Sequence, residues 1–123
     1  MRRVVITGMG AVSASGLNVG EFWDNMKNGR CGISPIESFD VTDCEVKVAA
    51  EAKNYDPLQY FDKRELRRTD RFTQFALVAA DEAMKDCGTD FSDLDPYRVG
   101  VIVGSGIGGF HSIETEYLSL IHI

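Results

Sequence analysis

Basic charge is in short supply: 13 Lys and Arg stand against 19 Asp and Glu, for a formal net charge of −6. No broad basic surface exists to release counterions from phosphates, which excludes general nucleic-acid binding and makes any basic site a local one. Cysteine is scarce, and Cys31, Cys44 and Cys87 form an odd set without a C-x-x-C pair. That set suits reduced thiols, not a disulfide framework or a zinc site. With only two histidines and no H-E-x-x-H spacing, no metal is expected. No apolar run is long enough to cross a bilayer, so no membrane partner is expected. Met1-Arg2-Arg3 leads straight into Val4-Val5-Ile6 with no cleavage-type spacer, and a cytoplasmic location is the expectation. An apolar share of 44% with 26% charged residues is that of a packed soluble domain, or a piece of a larger one.

Glycine and β-branched residues are plentiful where they count. R-V-G-V-I-V-G-S-G-I-G-G-F, from Arg98 to Phe110, pairs a run predicted to be a strand buried on both faces, Val99–Val103, with a loop holding Gly104, Gly106, Gly108 and Gly109. Glycine at that density is costly in entropy unless close backbone approach or positive φ is used. R-R-V-V-I-T-G-M-G, from Arg2 to Gly10, predicts another buried strand, with a small-residue loop after it to Gly16. Asn18 is placed to cap a helix with Glu21 at its third position, as in a capping box, and Gly29 closes it. Phe22 and Met26 share a face of this helix, and Trp23 is expected in the core.

From Arg30 to Tyr60 periodicity is lost and only Val46–Ala50 looks strand-like, so a long surface excursion is expected. Thr69 or Asp70 then caps a helix in which Phe72, Phe75, Ala76, Ala79, Ala80, Ala83 and Cys87 recur at three- and four-residue steps, and Gly88 stops it. An alanine face lets a neighbour approach closely, which predicts a helix sandwiched between layers. Lys63, Arg64, Arg67, Arg68 and Arg71 stand ahead of it, where cations oppose the helix dipole. From charge pattern alone this is a solvated turn with local ion pairs. F-S-D-L-D-P-Y is a loop with one short turn, and the element order indicates an α/β layered protein.

Nucleophilic chemistry finds little support. Cys87 sits at the C-terminal end of its helix, the wrong end for a nucleophile, and Cys31 and Cys44 lie in the excursion with no histidine near them in sequence, so all three read as structural. Ser105 does not match G-x-S-x-G. Gly104, Gly106 and Gly109 spell G-x-G-x-x-G, and a Rossmann-type dinucleotide-binding domain using the Gly104–Gly109 loop is the alternative reading. It needs an acidic residue about twenty positions on, beyond Ile123.

Three stretches taken together, R-R-V-V-I-T-G-M-G-A-V, L-R-R-T-D-R-F-T-Q-F-A-L-V-A-A-D-E-A-M and V-G-V-I-V-G-S-G-I-G-G-F, resemble the N-terminal part of the β-ketoacyl-acyl-carrier-protein synthase family, of the synthase II kind. The resemblance runs from Arg2 to about Tyr117. It implies the N-terminal part of a thiolase-like, layered αβαβα fold that works as a homodimer. The implied reaction is a decarboxylating Claisen condensation in fatty acid elongation: an acyl group moves onto a cysteine, malonyl-carrier loses carbon dioxide, and the carbanion attacks the acyl thioester. Two histidines stabilise the developing oxyanion, and no cofactor is implied.

The family's Thr-Ala-Cys motif and histidine pair do not occur in this sequence, so no catalytic residue is assigned and this chain alone is expected to be inactive. Two functions carry over by position. Arg64, Arg67 and Arg68 fall where the family presents a basic patch to the acyl carrier protein, which reverses the solvated-turn reading. Ile107 falls beside the acyl-chain pocket, and Gly104, Gly106, Gly108 and Gly109 become a structural loop at its edge. Residues 1–117 are then family sequence. Leu118-Ser119-Leu120-Ile121-His122-Ile123 reads instead as the translation of a transposase adapter, an expected non-native tail.

Overall fold

The computed structural model describes residues 3–121; Arg2, the start of the expected first strand, and His122 and Ile123 of the expected tail lie outside them. Helix α1 is Val19–Lys27. Asn18, in extended backbone, accepts the Glu21 N–H on Oδ1 at 2.9 Å. Glu21 reaches back one residue further than a capping box requires, accepting the Leu17 N–H at 3.0 Å. Asn28 follows as the C-cap, and Gly29 takes φ +64°. Trp23 departs from the expected core position: it is 59% exposed and lies under the Lys27 ammonium, 6.0 Å from its ring centroid. The inward face is Phe22 and Asn25 instead, and Asn25 donates to the Ser15 carbonyl at 2.6 Å.

The excursion contains a small antiparallel sheet. Strand β1, Ile33–Pro35, pairs with β2, Val48–Ala50, in the register Ile33↔Ala50, Ser34↔Ala49, Pro35↔Val48. Pro35 is tolerated because each strand of a two-stranded sheet has a free edge. The Lys53 ammonium closes the far side, bonding the Pro35 carbonyl at 2.8 Å and the Glu37 carboxylate at 2.6 Å.

Helix α2, Lys63–Leu66, starts from a complete capping box: Asp62 Oδ1 accepts from Arg64 N at 2.7 Å and Glu65 N at 2.8 Å, and Glu65 Oε2 accepts from Asp62 N at 2.9 Å. Helix α3 runs Arg71–Cys87 between Asp70 and Gly88, the latter at φ +59°. The packing centre is where the excursion meets this helix. Among the described residues, Tyr55 and Val78 are the buried apolar ones and Gln74 the buried polar one. The Phe75 ring meets Tyr55 edge-on at 4.8 Å, Tyr60 stacks on Tyr55 at 5.8 Å, and the Tyr55 hydroxyl bonds Gln74. Burial, with Tyr60 nearby, raises the Tyr55 phenol above its ordinary 10.0 although the Arg71 charge pulls the other way. F-S-D-L-D-P-Y forms two single 3-10 turns, Phe91–Asp93 and Pro96–Arg98, each capped by an aspartate side chain. Helix α4 is Phe110–Ile121 and continues through residues 118–121.

The two expected buried strands are not formed. Residues 3–8 and 100–107 join no sheet, and their apolar side chains face outward: Val4 is 92% exposed and Ile102 98%. A strand's hydrogen bonds all come from another segment, and no backbone bond links these residues to a partner among the described residues. The first segment instead ends against α3. A Cβ added at Gly10 would stand 1.8 Å from the Ala79 carbonyl oxygen, and one at Gly8 2.1 Å from that of Ala83, so only glycine permits this approach. The alanine face therefore serves backbone-to-helix packing. Two acidic side chains complete the contact. Met9 N–H donates to Asp86 at 2.9 Å and Ala11 N–H to Glu82 Oε2 at 2.9 Å, while Glu82 Oε1 accepts the N–H of Val19, the first residue of α1, at 2.9 Å.

Candidate functional site

The capping box of α2 fixes where its cations point. Arg64 lies inside the helix, Arg67 is its C-cap, and Arg68 follows with its N–H bonded to the Glu65 carbonyl at 2.9 Å. All three are exposed, and none forms an ion pair among the described residues. The expected local ion pairs of a solvated turn are thus not made, and three guanidinium groups project from one short turn. Arg71 behaves differently. Its guanidinium covers the Phe75 and Tyr55 rings at 5.3 Å and 5.9 Å and donates to the Ala52 carbonyl at 2.9 Å, so it belongs to the packing centre.

Asp70 connects this turn to the glycine loop. Although it stands at the N-cap of α3, its side chain caps none of that helix's N–H groups. Oδ1 accepts instead from the Ser112 hydroxyl in the first turn of α4, and a Cβ at Gly109 would lie 2.3 Å from Oδ2. Gly108, at φ +69°, sits over the Phe72 ring. A side chain at 109 would displace the Asp70 carboxylate, and the positive φ at 108 favours glycine, whereas Gly104 and Gly106 stand in open space. Ile107, between Gly106 and Gly108 in this loop, is 77% exposed. A cleft of about 340 Å³ separates Arg67, Arg68 and Thr69 from His111, Ser112 and Thr115. The Asp70–Ser112 bridge spans 42 positions, and no local pattern in the sequence signals it. The α2 capping box had a readable signal, Asp62 three residues before Glu65. The cysteines remain apart from these features: Cys31 and Cys44 are exposed, and the Cys87 thiol donates to the Met84 carbonyl of its own helix.

Comparison with known proteins decides the family. A model described as beta-ketoacyl synthase, N-terminal domain, matches residues 1–121. The chain belongs to the β-ketoacyl synthase family. It is 42% identical over 120 residues to 3-oxoacyl-[acyl-carrier-protein] synthase 2 of Coxiella burnetii (strain RSA 493 / Nine Mile phase I), covering 98% of this chain and 29% of that protein. Identity to the protein of the same name from Staphylococcus aureus (strain N315) is 46% over 119 residues, 97% of this chain and 29% of the relative. Among solved structures, the ishigamide ketosynthase/chain length factor superposes with a TM-score of 0.82 at 30% identity, over 98% of this chain and 30% of that one. The synthase segment described here thus spans under a third of the length of these relatives. Its fold is the N-terminal part of the thiolase-like α/β architecture. The dinucleotide-binding alternative falls with this assignment: Gly104–Gly109 follows no strand, and a Rossmann loop requires one.

Proposed function

We propose that this chain is the N-terminal segment of a 3-oxoacyl-[acyl-carrier-protein] synthase, which elongates fatty acids by decarboxylating Claisen condensation. The observation that carries this reading is the 42% and 46% identity to proteins of that name over nearly all of the chain. Within it, Arg64, Arg67 and Arg68 form the docking patch for the acidic acyl carrier protein. Their exposure and lack of ion-pair partners among the described residues support that role. Ile107, exposed beside the glycines, borders the acyl chain when the rest of the synthase is present. The acyl-accepting cysteine and the oxyanion-stabilising histidines come from sequence outside this segment, so the segment alone is inactive. We extend the proposal to a cytoplasmic homodimer, as the family resemblance implies. Residues 118–123 are proposed as an adapter-derived tail, and genomic resequencing past Tyr117 that returns the same six codons would remove that part.

Charge reversal tests the docking patch. In a full-length synthase carrying this segment, Arg67→Glu with Arg68→Glu should raise the KM for carrier-linked acyl donors by about tenfold or more, since close charge pairs at interfaces couple by about 1.5 kcal/mol upward. Donors on free pantetheine should be used as before. Equal kinetics with both donor types would overturn the docking role.

A further inference from the structure

The Asp70 carboxylate lies between two features that the proposed function treats separately. On its N-terminal side are the arginines of the docking turn, Arg67 and Arg68, three and two residues away. On its far side it holds the start of α4, through the Ser112 hydroxyl, and its Oδ2 occupies the space where a Cβ at Gly109 would stand. Phe72, two residues on, packs under Gly108. The turn itself is braced from below, because buried Gln74 donates to the Thr69 carbonyl at 2.9 Å and is bonded in turn by the Tyr55 hydroxyl. An N-cap aspartate ordinarily accepts from its own helix; here that stabilisation is forgone, and the carboxylate is used across 42 positions of chain.

We infer that Asp70 is a positioning residue that ties the docking turn to the glycine loop, so that a carrier engaged by Arg67 and Arg68 meets Ile107 in one fixed placement. The inference rests on the docking reading above and adds to it a specific coupling. The bond is a hydroxyl donating to a carboxylate, and the space for that carboxylate exists because residue 109 has no Cβ. Misplacing the loop leaves the arginines free to bind carrier but delivers the acyl chain to a shifted pocket edge. The loss should then appear in turnover, not in docking.

The test uses a full-length synthase carrying this segment, with Ser112→Ala, Ser112→Thr and Asp70→Ala. Turnover with carrier-linked donors is measured beside carrier affinity by fluorescence anisotropy. Ser112→Ala should lower kcat about fivefold, the equivalent of one hydrogen bond, with carrier Kd unchanged. Asp70→Ala should match or exceed that loss, and Ser112→Thr, which keeps the hydroxyl, should retain wild-type kcat. Ser112→Ala with wild-type kcat, equal impairment by Thr and Ala, or a loss confined to carrier affinity would each overturn the coupling. The Arg67→Glu, Arg68→Glu variant in the same anisotropy assay reads docking independently: retained affinity there overturns the docking role, whatever the Ser112 variants do.

Discussion

Removing the Glu82 carboxylate should loosen the N-terminal segment by an amount that follows from its two bonds. One oxygen accepts the Ala11 N–H and the other the Val19 N–H, each at 2.9 Å. Hydrogen bonds to a charged acceptor contribute about 1.5–3 kcal/mol each, and the half-exposed setting favours the lower end. Glu82→Ala should therefore destabilise the segment locally by about 3 kcal/mol. Glu82→Gln separates charge from reach. Its amide has one acceptor oxygen, so one N–H keeps a partner while the other faces an NH₂ donor. It should lose more than half of what Ala loses. Amide hydrogen exchange resolved at Ala11 and Val19 is the direct assay, since about 1.4 kcal/mol corresponds to tenfold in protection. Glu82→Ala should speed exchange at both amides by about thirtyfold or more. Unchanged exchange at either amide in Glu82→Ala would refute the bridging role, and a Gln variant equal to wild type at both would refute the charge argument.

Two further outcomes follow from the same packing. Gly10→Ala must push the segment off α3 because its Cβ meets the Ala79 carbonyl, and a loss of about 3 kcal/mol in equilibrium unfolding is expected; a loss within experimental error would mean the segment does not lie there. Tyr55 makes an alkaline prediction. Its phenol pKa is raised in the folded state, chiefly by burial, so its contribution is full below the unfolded value of about 10 and is lost as pH rises through the higher folded value. Tyr55→Phe should abolish that part of the alkaline loss, and a stability difference between the two proteins that stays constant from about pH 8 to about pH 12 would reject it.

Elements set by neighbours in sequence were legible, and those set by distant partners were not. α1 follows from Asn18 and Gly29, and α3 from the alanine periodicity and Gly88, because caps and turns are bonds within a few residues. Val4–Ile6 and Val99–Val103 have the composition of buried strands, yet composition states only what a side chain would bury against, not which segment supplies the ladder. β1 was hidden because three residues containing a proline carry almost no pattern. Trp23 illustrates the limit for side chains: its helix was foreseen, but which stripe turned inward depended on where Ser15 lay. At the candidate site the arginines and Ile107 came from the family resemblance, while charge pattern alone gave a solvated turn. Thr69 or Asp70 was expected to cap α3; the Asp70 side chain makes no cap bond, and its use by Ser112 required the fold.

The match between segment 9–11 and α3 has a consequence for register. Carboxylates four apart on a helix rise about 6 Å, and amides two apart on an extended chain rise about 6.6 Å, so the two spacings match at this alignment and fail on a one-residue slip. A slip by one residue would turn Met9 and Ala11 side chains into the helix and carry their amides away from Asp86 and Glu82 at once. Shape and charge thus encode the same alignment independently. A single substitution can weaken this contact, but it leaves the surviving code still pointing to the same alignment.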